Sequence, residues 1–173
     1  MLTVGTDTYA TLAEATAYIE SYYLCSESKR ATWEALNENA QEIYLRRSAQ
    51  EIDRCQFQGI KAATDQTMEF PRYVYRDPAG YYYEYDYTTE TAVVPENVKR
   101  AQVEEALELA SPSNDTTEKN IRVGSVKSYK IGNLSETYGN DSTIAKQPAE
   151  YVINSKTAAK LLAQYTNGSF RIS

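Results

Sequence analysis

The chain has 173 residues, with 18 Lys and Arg against 24 Asp and Glu, no histidine, two cysteines, and sixteen tyrosines beside three Phe and one Trp. Without imidazole there is no His general base, no Ser-His or Cys-His nucleophile pair and no His metal ligand, and two cysteines do not complete a structural zinc site. A formal charge of -6 argues against a surface that grips phosphate backbones everywhere, so any nucleic-acid role has to be local.

In chain order, Thr11-Leu12-Ala13-Glu14 forms a capping box that predicts a first helix, with Leu12, Ala15, Ile19 and Tyr22 on its apolar stripe. The residues before it have neither a basic start nor a continuous apolar run, so no signal peptide is expected. Cys25 and Cys55 form no CxxC motif, which points to synthesis in a reducing cytoplasm. A short segment over residues 31–36 carries Trp33 as a core anchor. Leu45, Ser48, Ala49, Ile52 and Cys55 recur at helical spacing and predict a second long helix from Asn39 to Cys55.

A stretch of about forty residues follows, where a connection between bundle helices usually takes roughly 2–8, so it needs structure of its own. Asp77-Pro78-Ala79-Gly80 fits a type I turn. The run Tyr81 to Tyr87 alternates with period two, placing Tyr81, Tyr83, Tyr85 and Tyr87 on one face. A hairpin closed by that turn pairs Arg76 with Tyr81 and Val74 with Tyr83, and arginine stacked on tyrosine fills the shared face.

Pro95 and Glu96 open a third helix, with Val98, Ala101, Val103, Ala106, Leu107 and Ala110 on its apolar side. It ends at the breaker cluster Ser111-Pro112-Ser113-Asn114-Asp115. Beyond it, residues 121–131 read as extended pieces and a polar loop spans 139–147. Asn154 or Ser155 then caps a last helix whose stripe is Ala158, Leu161, Leu162 and Tyr165, stopped by Asn167-Gly168. A helix of about ten residues is marginal alone in water and needs a surface to lie on.

These elements predict a mainly α fold: a small antiparallel helical bundle with an inserted β-hairpin and an extended C-terminal arm ending in a short helix. The expected division is a body over 1–111, with the Tyr-rich insertion at about 57–94, and an arm over 112–173 with strand-like residues 121–138 and a helix at about 155–167. Charge divides a few residues beyond that line. Residues 1–118 carry 10 basic and 21 acidic side chains, net -11, and residues 119–173 carry 8 and 3, net +5. Such asymmetry suggests that the tail docks on something acidic, although scattered solvated lysines explain it as simply.

Paired carboxylates are the remaining catalytic material: Glu104, Glu105 and Glu108, and Glu51 with Asp53. Glu104 and Glu108 sit one turn apart on the polar face of a helix, where solvated charge is the default, and no glycine-rich phosphate loop is present, so no enzyme, metal or cofactor is expected. The seven tyrosines between Tyr73 and Tyr87, with Arg72 and Arg76 among them, offer either a stacking platform for single-stranded nucleic acid or a protein interface. Asp77, Glu84 and Asp86 in the same segment repel phosphate, which favours the interface.

Five motifs in order resemble the head-tail connector, or adaptor, proteins of tailed bacteriophages, whose members are often labelled DnaT-like single-stranded-DNA-binding proteins. They are Thr8-Tyr9-Ala10-Thr11-Leu12-Ala13-Glu14-Ala15, the run Leu45 to Gly59, Phe70-Pro71-Arg72, Val94 to Ala101, and Ala159-Lys160-Leu161-Leu162-Ala163-Gln164-Tyr165. The resemblance implies a structural virion protein made in the host cytoplasm and placed in the neck between head and tail. It implies a dodecameric ring of the chain with itself under the portal, with tail or nozzle proteins as further partners, double-stranded DNA passing through without sequence-specific binding, and no membrane. On that basis Lys156, Lys160, Leu161, Leu162, Tyr165, Phe170 and Arg171 are expected to meet the portal. Ile121, Val123, Tyr129 and Ile131 are expected to pair with a neighbouring subunit, and Tyr81, Tyr83 and Tyr85 to form a hairpin interface. The alternative is a DnaT-like protein that binds single strands.

Overall fold

A computed structural model describes residues 2–75, 80–111, 128–131, 134–137 and 153–166. The turn at Asp77-Pro78-Ala79, together with Arg76, Ile121, Val123, Phe170, Arg171, the polar loop 139–147 and the Asn167-Gly168 stop, lies outside them. The chain divides into two compact units, Met1–Ser111 with Tyr151–Ile172, and Pro112–Glu150 with Ser173.

In the first unit, α1 spans Leu12–Tyr22, α2 Ser28–Glu34, α3 Glu38–Asp53, α4 Glu96–Ala110 and α5 Lys156–Leu162, followed by a 3-10 turn at Ala163–Tyr165. Local signals set the helix starts. Thr11 and Glu14 complete the capping box of α1, Asn37 accepts the Ala40 N–H at the head of α3, and Ser155 accepts from Ala158 at the head of α5. Between α3 and α4 run β1 (Ile60–Lys61), β2 (Arg72–Val74), β3 (Tyr81–Tyr82), β4 (Tyr85–Asp86) and β5 (Thr91–Ala92). The first three form an antiparallel sheet in the order β1-β2-β3, and β4 pairs with β5. In the second unit, β6 (Ser128–Ile131) and β7 (Leu134–Thr137) form an antiparallel hairpin.

The expectation of a mainly α bundle with a hairpin inserted into it is corrected to a mixed helix-and-sheet fold. The reason is packing. Phe57, Met68, Phe70 and Val74 from the β segment are buried in one core with Tyr9, Ile52, Val98, Ala101, Ala158, Leu162 and Tyr165. A second cluster joins Ala15 and Ile19 of α1, Trp33 of α2, Leu45 of α3, and Val103, Ala106 and Leu107 of α4. Helix α4 therefore runs through both clusters and is covered on several sides at once. Small residues allow that: Ala101 and Ala106 on α4 and Ala158 and Ala159 on α5 are fully or almost fully buried, which lets neighbouring helices approach.

A helix covered this way buries polar groups, and each then needs partners. Gln102 accepts the N–H groups of Tyr9 and Ala10 at 3.0 and 2.9 Å and donates to Thr8 Oγ1 and the Leu45 carbonyl at 2.7 and 2.8 Å. Glu104 accepts the hydroxyls of Tyr18 and Tyr23 at 2.8 and 2.7 Å. Glu105 accepts from Asn154 Nδ2, the Ser155 N–H and the Asn154 N–H at 2.6, 2.8 and 3.2 Å, and so holds the start of α5. The solvated acidic face expected for α4 is thus corrected for Glu104, and Glu105 is likewise buried; Glu108 is half-exposed and pairs with Lys29 at 2.9 Å. No helix of the described residues is long and apolar enough to cross a membrane.

Candidate nucleic-acid interface

The β segment is organised around a buried arginine. Arg72 donates to the carbonyls of Gln58, Gly59, Glu69 and Phe57 and pairs with the Glu69 carboxylate, so one guanidinium ties the exit of α3 to β2. It lies 5.9 Å over the Phe57 ring, not over a tyrosine as the alternation suggests. Gly59 adopts φ +76, and a Cβ there would collide with the Tyr73 carbonyl, so a side chain would push β1 away from β2. The peptide bond before Pro71 is cis.

In β2 and β3, Tyr73 faces Tyr82 and Val74 faces Tyr81. This corrects the expected pairing of Val74 with Tyr83 and Arg76 with Tyr81 by two residues. The chain also bends at Tyr83-Glu84, between β3 and β4, so the single face of alternate tyrosines does not persist. Tyr83 turns inward and packs edge-on against Tyr165 at 4.7 Å, with Phe70 at 6.5 Å. Tyr165 in turn meets Phe70 at 5.3 Å, and burial pushes its hydroxyl up to about 12.

Tyr81 meets Tyr83 edge-on at 5.8 Å, and the remaining five tyrosines of the segment form a continuous ribbon on the surface. Its rings follow one another as Tyr75–Tyr73 at 5.0 Å, Tyr73–Tyr82 at 4.9 Å, Tyr82–Tyr85 at 5.2 Å and Tyr85–Tyr87 at 5.1 Å. Only Tyr82 and Tyr85 lie face to face; the other pairs are edge-to-face, and a ring that offers its edge leaves both its faces free of that neighbour. The two ends are open to solvent, Tyr75 at 71% exposure and Tyr87 at 86%, while the middle three are half-buried. The residues that feed rings into this ribbon come from β2, β3 and β4, and Gly80 leaves room for the Tyr73 ring to lie across the backbone.

The acidic neighbours are committed locally. Glu84 accepts the backbone N–H of Glu96 at 3.0 Å and so caps α4. Asp86 accepts from Thr88, Thr89 and the Thr89 hydroxyl, and these bonds hold its carboxyl below the usual range. The Asp86 carboxylate therefore stays charged beside the ribbon and repels phosphate there. Among the described residues no group of three or more His, Cys, Asp or Glu could hold a metal ion.

Of the residues expected to meet a portal, Leu162 and Tyr165 are core residues, Leu161 is half-buried against the same cluster, and Lys156 and Lys160 are exposed. The short amphipathic helix has its surface within its own chain, on α4. Tyr129 and Ile131 pair through β6 with Glu136 and Leu134 of β7. Tyr81 is 40% exposed, Tyr85 lies in the ribbon and Tyr83 at the core. Reading alternation alone missed Tyr73, Tyr75 and Tyr82 as the ribbon's other members; the density of tyrosine on both sides of the turn was the signal that contained them.

A family model described as "Putative DnaT-like ssDNA binding protein" matches residues 2–173, and the chain belongs to that family. No curated relative and no solved structure matches. The match corrects the expectation of a head-tail connector: the family is described by single-stranded DNA, and neither it nor the fold supports a virion ring, portal and tail partners or a DNA channel.

Proposed function

We propose that this member of the DnaT-like family binds single-stranded DNA, and that the tyrosine ribbon Tyr75–Tyr73–Tyr82–Tyr85–Tyr87 is the surface on which its bases stack. One observation carries the reading: five consecutive rings spaced 4.9 to 5.2 Å apart, open at both ends. Every base has a π-face, so such a surface accepts any sequence, and each stacked base contributes roughly 1–3 kcal/mol. Bases in a duplex are paired and stacked on each other, so the ribbon selects single strands. No chemical step is assigned to the site.

The test is a titration of labelled oligothymidylate followed by fluorescence anisotropy. Tyr85→Ala and Tyr87→Ala should each weaken binding by about fivefold or more, the low end of one stacked base, with the melting temperature preserved. Equal affinity of wild type and the double variant, or tighter binding of duplex than of single strand, would refute the proposal.

A further inference from the structure

A second pair of stacked tyrosines lies beside the first turns of α4. Between α1 and α4 is a groove of about 290 Å³ lined by Tyr18, Tyr22, Glu96, Lys99, Arg100 and Val103 among others. That is the small end of the roughly 300–1,000 Å³ range of ligand clefts. Tyr22 is 59% exposed and stacks on Tyr18 with centroids 4.6 Å apart and an interplanar angle of 27°. The Tyr18 ring is anchored from below, because its hydroxyl donates to the buried Glu104. The Arg100 guanidinium lies 5.6 Å from the Tyr22 centroid, so two rings and a planar cation meet at this groove.

We propose that this groove is a second stacking station of the same nucleic-acid surface, taking one nucleobase on Tyr22 and the adjoining phosphate on Lys99 and Arg100. The inference rests on the single-strand reading above. Its support is continuity: Glu84, the residue before Tyr85 of the ribbon, accepts the backbone N–H of Glu96, and Glu96 itself lines the groove. From Glu96 to Arg100 is one helical turn, a rise of roughly 6 Å. The N–H at the helix start is already taken by Glu84, so phosphate is received by side chains. Lys99 pairs with Glu14 at 2.6 Å and Arg100 with Glu96 at 3.2 Å, but both pairs are partly or largely exposed. Exposed ion pairs are weak enough for a phosphate to displace the carboxylates. In this arrangement the ribbon supplies stacking and the groove adds two cations.

The experiment compares oligothymidylates of about four and about twelve nucleotides, within the roughly 4–16 nucleotide site sizes of single-strand-binding folds. Tyr22→Ala and Arg100→Gln should leave the short oligomer's affinity within about twofold and weaken the long one by about fivefold or more. Tyr22→Phe, which keeps the ring, should restore it. Arg100→Gln should also reduce the slope of log affinity against log salt by about 0.7, the contribution of one phosphate contact on a single strand. If the long oligomer is unaffected while Tyr85→Ala weakens both lengths, the groove proposal is overturned and the ribbon stands. If wild type binds neither length, both fall.

Discussion

The Tyr83 hydroxyl is buried and, among the described residues, has no hydrogen-bond partner. A buried polar group left unpaired costs about 1–3 kcal/mol, and removing it leaves the ring's packing on Tyr165 and Phe70 intact. Tyr83→Phe should therefore raise stability by about 1 kcal/mol in urea denaturation at constant m-value, and it should leave oligonucleotide affinity unchanged; a loss of stability would show that the hydroxyl is bonded after all. Glu105 is the opposite case, a buried carboxyl with three N–H donors. Burial nonetheless pushes it above its ordinary 4.5. The folded protein then takes up the proton at higher pH than the unfolded chain, so the stability this group contributes grows as pH falls through the folded value and is lost as pH rises through it. Glu105→Gln sets an amide against a backbone N–H, and its deficit relative to wild type should widen from neutral pH toward pH 4.5. A deficit that narrows toward acid would mean that the hydrogen bonds, not burial, set the carboxyl's affinity for protons.

At the scale of elements, α5 is where sequence and structure part most instructively. Its cap and apolar stripe are local patterns and were legible, as was the capping box of α1. Its partner was not, because the surface that receives it is built from Val98 and Ala101 of α4, more than fifty residues earlier, together with Glu105 reaching to Ser155. Leu162 is fully buried there, so Leu162→Ala should cost about 2–5 kcal/mol, read as a lowered denaturation midpoint. A change within about 0.5 kcal/mol is what an exposed arm helix would give, and it would contradict this packing. The hairpin register failed for a related reason. A slip of two residues keeps every side chain on its face, so alternation cannot distinguish Val74 opposite Tyr81 from Val74 opposite Tyr83. What decides is the inward turn of Tyr83 onto Tyr165, a contact across eighty-two positions that no local pattern carries. Buried Glu104 was invisible on the same grounds: its partners Tyr18 and Tyr23 lie on and just after α1.

Over the whole molecule, the composition singled out tyrosine and the structure sorts it by role. Tyr9, Tyr83 and Tyr165 serve the core, Tyr18 and Tyr22 the α1–α4 groove, and Tyr73, Tyr75, Tyr82, Tyr85 and Tyr87 the ribbon. The net charge of -6, with -11 in residues 1–118, is compatible with single-strand binding only if rings rather than charges dominate the ribbon's hold. The most direct measurement of that claim is ultraviolet cross-linking of the full chain to oligothymidylate, with the cross-linked residues identified by mass spectrometry. Cross-links at Tyr73, Tyr75, Tyr82, Tyr85 or Tyr87 are the predicted result. Under saturating oligonucleotide, cross-links found only outside residues 73–87 would contradict it.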